Sequence, residues 1–166
     1  AFAASHPAGI VVKPLVVVPM LGWVIYTNRI TEAHVDRIDS IRSSPAIFQA
    51  LVPKAHELRI TIVGDHTFAA RIRSQDDEAT AIDWRREPTL NDHRVRMEVA
   101  EIPVDVERRL RALLDALGLR FGCVDMIVTP SGEYVFLEVN PNGQWYFVQL
   151  RTGHAIAEAI ADILVG

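Results

Sequence analysis

Three oxygen-bearing side chains stand out in two apolar segments near the C-terminal end of the sequence. Asp125 lies within one apolar run, residues 124–128, and Glu138 and Asn140 end the next one. The intervening Pro130-Ser131-Gly132-Glu133 is typical of a turn, so the two runs are predicted to pair as an antiparallel hairpin. Residues two apart on a strand share a face, and Asp125 is within cross-strand reach of that face. The hairpin therefore gathers the three side chains at one place.

The oxygens of this cluster indicate a metal site. Two carboxylates in apolar surroundings are costly unless a positive charge compensates them. A hard divalent cation such as Mg²⁺ accepts carboxylate and amide oxygens, and it usually also binds substrate phosphates. We therefore expect Asp125, Glu138 and Asn140 to bind Mg²⁺, with Mn²⁺ as a substitute. The alternative is a hairpin whose carboxylates are simply solvated.

Composition limits the class of protein. The chain has 166 residues, of which 49% are hydrophobic and 23% charged, as expected for a globular protein with one core or two small subdomains. A net charge of −4 argues against a general nucleic-acid binder. Cys123 is the only cysteine, which favours the cytoplasm. The apolar stretch 10–18 contains Lys13 and Pro14 and is too short for a bilayer, so no membrane contact is expected.

Hydrophobic periodicity predicts the elements that position the cluster. The N-terminal part reads as a β-β-α module, with strands at 9–15 and 23–27 and a helix at 32–42. The remainder is predicted to form strands at 46–52, 58–63 and 67–73, a polar loop at 74–94, a helix at 106–117 preceded by Asp105, the hairpin, and a final helix at 154–164. Both of the later helices are amphipathic, and Leu117 and Leu164 are assigned to their buried faces.

With these residues in place, the sequence resembles the ATP-grasp ligases. Asp125, Glu138 thirteen positions later and Asn140 are similar to the metal-binding signature of that family. Three upstream segments resemble its phosphate-binding lysine strand, its adenine-contacting hinge and the strand whose acid holds the ribose, namely residues 11–14, 48–52 and 57–59.

The resemblance extends to one branch of the family, which contains the ribosomal-protein polyglutamylation ligases and the graspetide (microviridin-type) peptide macrocyclases. Segments similar to that branch are 52–59, 83–85 and 137–145. The graspetide side is favoured mainly by Asp83-Trp84-Arg85 and by Asn142-Gly143-Gln144-Trp145.

This resemblance implies an α+β fold of the ATP-grasp type, with two antiparallel-sheet subdomains, flanking helices and the nucleotide between the subdomains. We expect residues 1–46 to form the small subdomain and 47–166 the large one. The sequence begins with Ala1 and enters a strand within a few residues, so an N-terminal domain that precedes the ATP-grasp region is expected to be missing.

The activity implied by the resemblance is ATP- and Mg²⁺-dependent ligation. ATP phosphorylates a carboxylate of a peptide or protein, and an amine or hydroxyl then displaces phosphate from the acyl phosphate. The alternative is a nucleotide-binding fragment without turnover. A homodimer is compatible with either.

The resemblance also assigns roles to individual residues. Lys13 is expected to bind the nonreacting phosphates, Glu57 the ribose, and Gln49 with the backbone of Leu51 and Val52 the adenine edge. The catalytic cations, which hold the transferred phosphoryl group or the substrate carboxylate, are drawn from Arg59, Arg73 and Arg85, and their ranking stays open.

Overall fold

A computed structural model describes residues 5–15, 26–86 and 95–165 of the chain. These residues form two compact units. The first unit is drawn from Ala1–Pro53 and Ser74–Arg94, and the second from Lys54–Arg73 and Val95–Gly166. The polypeptide therefore leaves the second unit after Arg73 and returns to it at Val95.

The first unit contains a three-stranded antiparallel sheet in the order β2-β1-β3. The strands are β1 (Ile10–Pro14), β2 (Asn28–Arg29) and β3 (Ala46–Ala50). Strand β1 pairs along its whole length with β3, from Ile10 opposite Ala50 to Pro14 opposite Ala46. Of the second strand predicted at 23–27, residues 23–25 lie outside the described part of the chain.

The helix predicted at 32–42 is not continuous. Helix α1 covers only Glu32–Val35, and a separate 3-10 turn follows at Ile38–Arg42. None of these residues is buried, and Val35 and Ile38 are 57% and 52% exposed. Most helical stability in proteins comes from packing an apolar face, and this segment does not have that support.

The predicted subdomain boundary after residue 46 differs from the division in the structure. Strand β3 belongs to the first unit because its backbone groups are bonded to β1. The segment 74–86 also belongs to that unit, although it follows a strand of the second. Its attachment is a buried hydrogen bond of 2.9 Å from the Thr27 amide to Asp83.

The second unit is built on a five-stranded antiparallel sheet in the order β6-β5-β4-β7-β8. Its strands are β4 (His56–Val63), β5 (His66–Ile72), β6 (Met97–Ala100), β7 (Phe121–Val128) and β8 (Tyr134–Asn140). The predicted hairpin of β7 with β8 is confirmed, and β4 and β5 form a second hairpin. Gly64 turns this second hairpin with a φ of 53°.

Three helices flank this sheet, namely α2 (Val104–Ala116), α3 (Tyr146–Thr152) and α4 (Ile156–Val165). Alternate residues of the strands point to opposite faces, and each face has its own apolar core. One face packs against Val106, Leu110 and Leu114 of α2. The other packs against Val148 of α3 and Ile156 and Ala159 of α4. We call these the α2 face and the α3/α4 face.

The helix predictions are confirmed in outline. Helices α2 and α4 lie within two residues of their predicted bounds, whereas α3 was not predicted. Leu117 and Leu164 were wrongly assigned to buried faces, since they are 53% and 78% exposed. Leu117 is the C-cap residue of α2, at the end of the buried stripe. Within the described ranges, no helix is long and apolar enough to cross a membrane.

Candidate metal and phosphate site

The structure brings the three predicted metal ligands to one face of the hairpin. Asp125 on β7 is directly opposite Glu138 on β8, and Cys123 is opposite Asn140. Residues opposite each other in an antiparallel pair project from the same face. That face is the α3/α4 face. The Asp125 side chain is 24% exposed, whereas Glu138 and Asn140 are exposed.

A β-bulge sets the direction of Glu138. The register shifts between Asp125, which faces Glu138, and Met126, which faces Phe136, so Leu137 is one extra residue in β8. In a regular ladder Glu138 would lie opposite Val124, which is fully buried in the α2 core. The extra residue turns the carboxylate to the opposite face, an effect of bulges that recurs beside active sites.

Arg59 supplies the positive charge next to the acidic cluster. Strand β4 lies beside β7 with Arg59 opposite Asp125. Nη1 of Arg59 donates to both carboxylate oxygens at 2.8 Å, and Nη2 donates to the Gln144 carbonyl at 2.7 Å. The guanidinium also lies 5.9 Å from the centre of the Phe147 ring. Arg59 is only 7% exposed, so this ion pair is largely shielded from water.

Cys123 is a buried neighbour of this pair rather than a nucleophile. Burial raises the pKa of its thiol, and the nearby charge of Arg59 only partly opposes this effect. The Sγ atom lies 3.5 Å from the Gly143 carbonyl and 3.7 Å from the Thr61 hydroxyl. A protonated thiol in a fully buried position is inert.

Gly143 lets the segment after β8 pass close over β7. A Cβ atom at this position would lie 2.5 Å from the Cβ of Cys123 and 3.1 Å from Nη2 of Arg59. The first distance leaves no room for a side chain, and the second would require the Arg59 guanidinium to shift. The Asn142 amide, one residue earlier, donates to Oδ1 of the candidate ligand Asn140 at 3.0 Å. The glycine of the 142–145 motif therefore has a steric reason to be there.

Glu57 lies on the α3/α4 face, two residues before Arg59 on the same strand. Its carboxylate forms an ion pair of 2.6 Å with Lys54, and the two side chains are 13% and 7% exposed. The residue assigned to the ribose is therefore held by a buried lysine that the sequence analysis did not place in the site. The signal for it was present in the quoted segment 52–59.

Arg71 and Arg73, which also belong to the second unit, are placed differently from Arg59. Arg59 is opposite Ala70, whereas Arg71 is opposite Leu58, so Arg59 and Arg71 point to different faces of the sheet. Arg73 follows β5. Burial lowers the pKa of His56, and the charges of Arg71 and then Arg73 lower it further. Arg73 is therefore near His56, at the start of β4.

The first unit carries the predicted phosphate lysine and adenine residues. Lys13 is opposite Ile47 and Gln49 is opposite Val11, so Lys13 and Gln49 share one face of the three-stranded sheet. Lys13 is half-buried and Gln49 is exposed. The Leu51 amide donates to the Gly9 carbonyl at 2.9 Å. An adenine contact from Leu51 would therefore use its carbonyl, with Val52 next to it.

Arg85 is ion-paired within the first unit. Its Nε and Nη2 atoms donate to the Asp83 carboxylate at 2.8 and 2.7 Å. Asp83 is 4% exposed, and burial acts to raise its pKa, but hydrogen bonds and charge from Arg85 and the amides of Thr27 and Arg85 outweigh burial and lower the pKa to about 2. The Asp83-Trp84-Arg85 motif therefore fastens its own segment to Thr27.

The donor set fits a hard cation. Among the described residues there is no group of three or more His, Cys, Asp or Glu side chains arranged to hold a metal ion. The predicted set has two carboxylates and one amide, and it is oxygen only. Oxygen ligands in small number, with room for water and phosphate, suit Mg²⁺ rather than zinc.

Comparison with known proteins identifies the fold. No protein-family model and no curated protein sequence matches the chain. Solved structures do match. A RiPP-associated ATP-grasp ligase from Chryseobacterium gregarium, in complex with ADP and a leader and core peptide, is 32% identical, with a TM-score of 0.86 over 99% of this chain and 50% of that chain. The macrocyclase MdnC from Microcystis aeruginosa MRC, bound with precursor peptide MdnA, is 36% identical, with a TM-score of 0.81 and the same coverage.

A third structure has the same fold at lower identity. The ATP-grasp ligase PsnB, complexed with a phosphomimetic variant of a minimal precursor, Mg and ADP, is 24% identical with a TM-score of 0.77 over 99% of this chain and 48% of that chain. The fold is therefore the ATP-grasp fold, and the chain belongs to the ATP-grasp ligases. Within them it is similar to RiPP-associated ligases, and it spans about half the length of those it matches.

Proposed function

We propose that this chain carries the nucleotide and metal site of an ATP-dependent ligase that joins a peptide carboxylate to an amine or a hydroxyl. The observation that carries this proposal is the oxygen cluster of Asp125, Glu138 and Asn140 on one face, with the buried cation of Arg59 beside it. Phosphoryl transfer needs positioned cations and metal ions far more than covalent help from the protein.

The proposed reaction has two steps. A carboxylate oxygen of the substrate attacks the γ-phosphorus of ATP, ADP leaves, and an acyl phosphate forms. An amine or hydroxyl then attacks the acyl carbon, phosphate leaves with the bonding electrons, and the nucleophile loses its proton. Mg²⁺, when bound, would neutralise charge on the phosphates. Asp125, Glu138 and Asn140 are the residues proposed to hold it, and Mn²⁺ can replace it.

The remaining residues of the site are proposed to orient the two substrates. Lys13 would bind phosphates as a point charge, Gln49 with the backbone of Leu51 and Val52 would contact adenine, and Glu57 would accept from the ribose hydroxyls. Arg59, Arg73 and Arg85 are the candidates for the transferred phosphoryl group and the substrate carboxylate. Arg59 is favoured because its guanidinium lies next to a proposed metal ligand.

The proposed substrate is a peptide. Two relatives at 32% and 36% identity were solved with a leader and core peptide or with a precursor peptide, and the first of them also with ADP. The alternative function is nucleotide binding without turnover. Phosphate release that depends on both Mg²⁺ and an acidic peptide would separate the two.

The metal assignment is tested by Asp125→Asn and Glu138→Gln. Each variant removes a proposed ligand but little volume, and we expect Mg²⁺-dependent ADP affinity to fall at least about tenfold, since even partners outside the first ligand sphere cost about 10- to 100-fold. Isothermal titration calorimetry measures the affinity. Glu133→Gln, an exposed carboxylate in the turn of the same hairpin, is the matched control. Unchanged ADP affinity in both ligand variants would refute the assignment.

A further inference from the structure

We propose that Arg59 serves as an internal counter-cation at the metal site, and that a divalent ion binds there only when Arg59 gives up part of its hold on Asp125. This inference rests on the proposed function, because it concerns the same site. It adds a role for Arg59 before any substrate is phosphorylated. It also predicts that the metal and the nucleotide bind together rather than separately.

The carboxylate of Asp125 is already held by a cation on both oxygens. A single nitrogen of Arg59, Nη1, lies 2.8 Å from both Oδ1 and Oδ2 of Asp125. Both oxygens that could face a metal ion are therefore hydrogen-bonded to a cation. A metal ion that coordinates Asp125 must share at least one of these oxygens with Nη1. Because the ion and the guanidinium are both positive, the approach of the ion weakens the hold of Nη1 on the carboxylate.

The Arg59 side chain cannot move far from Asp125. Its Nη2 donates to the Gln144 carbonyl at 2.7 Å, and the guanidinium is 5.9 Å from the Phe147 ring centre. The position of Gly143 is close enough that even a Cβ there would be 3.1 Å from Nη2. The Gln144 contact therefore holds Nη2 in place while Nη1 changes its hydrogen-bond partner.

The N–H donors of Arg59 that Asp125 releases would need another acceptor. Nε of Arg59 is already buried without a hydrogen-bond partner among the described residues. A buried N–H without an acceptor costs free energy, and a released Nη1 would add a second such donor. A phosphate oxygen is a suitable acceptor for a guanidinium. Binding of a nucleotide phosphate would therefore offset the loss of the Asp125 contact.

Charge balance leads to the same conclusion. Without ligands, Asp125 is neutralised by Arg59, so a divalent ion meets a neighbouring positive charge at short range. The ion alone is opposed by that charge. A nucleotide phosphate brings negative charge that compensates both the ion and Arg59. The affinity for the bare ion should therefore be low in the natural sequence and should rise when Arg59 loses its charge.

The test is a titration of the full chain with Mn²⁺ in the absence of nucleotide, with free Mn²⁺ measured by electron paramagnetic resonance. We expect Arg59→Gln to bind Mn²⁺ at least about tenfold more tightly than the natural sequence, since an adjacent positive charge is removed. Arg59→Lys keeps the charge but cannot span both oxygens and also reach Gln144, so its affinity should be intermediate.

Two controls isolate the effect. Arg71→Gln removes a positive charge from the opposite face of the same sheet and should change the Mn²⁺ affinity by less than about twofold. Adding Asp125→Asn to Arg59→Gln should abolish the gain. Thermal unfolding shows whether each variant is folded. If Arg59→Gln is unfolded, the Mn²⁺ affinity of Arg59→Lys is compared with that of the natural sequence instead.

The outcomes separate this inference from the proposed function. The proposed role of Arg59 is overturned if the Arg59 variants bind Mn²⁺ no more tightly than the natural sequence. That result leaves the metal-ligand assignment intact, because the ADP titrations test the assignment separately. A gain in Arg59→Gln that survives Asp125→Asn means that the ion binds elsewhere. That result overturns both the role of Arg59 and the ligand assignment.

Discussion

Arg59 and Asp125 change the meaning of the acidic cluster at the residue scale. Two carboxylates in apolar surroundings need a compensating positive charge, and the sequence analysis assigned that charge to a metal ion. In the structure Glu138 is exposed, and the buried Arg59, 66 residues before Asp125 in the chain, already compensates the Asp125 carboxylate. A carboxylate cluster can therefore be stable without a metal ion, and metal affinity becomes a question of competition.

A second buried ion pair gives a prediction about pH. The folded-state pKa of Asp83 is about 2, below its ordinary value of 3.8, so the folded state binds this proton less readily than the unfolded state. Its contribution to stability is therefore present above about pH 4 and is lost as the pH falls toward 2. Because Arg85 is half exposed, we expect this contribution to be about 1–2 kcal/mol.

Asp83→Asn should lower the free energy of unfolding by that amount at pH 7. Between pH 5 and pH 3 the gap to the natural sequence should narrow by about 1 kcal/mol, because only the natural sequence loses the ionised carboxylate. Urea unfolding at several pH values measures both. Asp39→Asn is the control, since Asp39 is paired with Arg42 at 3.8 Å in full view of solvent. A constant gap across this pH range would contradict the prediction.

At the scale of elements, α2 shows how much of a predicted amphipathic helix is buried. The apolar spacing correctly indicated the helix and its buried stripe of Val106, Leu110 and Leu114. It could not indicate where the sheet stops covering the helix, because coverage depends on the strands and not on the periodicity. Leu117 continues the apolar pattern, yet more than half of it is exposed.

Two leucines of the same segment make this difference measurable. Leu114 is 2% exposed and packs in the α2 core, so Leu114→Ala should lower the free energy of unfolding by about 2–5 kcal/mol through lost burial and the cavity left behind. Leu117→Ala makes the same chemical change at an exposed position, and it should cost less than about 0.5 kcal/mol. Chemical denaturation measures the free energy of unfolding of both variants. Equal losses would contradict the exposed position of Leu117.

The bulge at Leu137 is the feature of an element that the sequence concealed most completely. Strict alternation in β8 places Phe136 and Glu138 on the same side, but the structure places them on opposite faces. No residue type in this run marks the bulge, since Leu137 is an ordinary strand former. The bulge leaves Phe136 opposite Met126 on the α2 face and turns Glu138 to the α3/α4 face.

At the scale of the whole molecule, the chain crosses three times between its two units, after Pro53, Arg73 and Arg94. Strand β3 and the segment 74–86 both belong to the first unit, which no local pattern indicated. Their places depend on partners distant in sequence, β1 for the strand and Thr27 for Asp83. The sequence does not show which unit β3 belongs to, because the apolar pattern of such a strand is the same in either sheet.

A whole-molecule consequence of the proposed function is linkage between ligand and stability. ADP with Mg²⁺ at about 100 times its dissociation constant should raise the free energy of unfolding by about 2.7 kcal/mol. ADP with a metal chelator, and Mg²⁺ alone, should raise it far less. Thermal unfolding under these conditions measures the effect, and the Asp125→Asn variant is the control. A shift of the same size with the chelator present would argue against a metal-dependent site.

The sequence by itself determined the features that depend on neighbours along the chain. Residue spacing and turn residues predicted the hairpin of β7 with β8 and the amphipathic helices α2 and α4, because these elements depend on interactions between residues only a few positions apart. The segments similar to the ATP-grasp ligases were likewise visible in the sequence. Tertiary structure alone decided the bulge that aims Glu138, the arginine that neutralises Asp125 and the sheet that β3 joins. Each of these depends on which distant strands pack together and in what register, and that choice is made by the free energy of the whole core rather than by any local pattern.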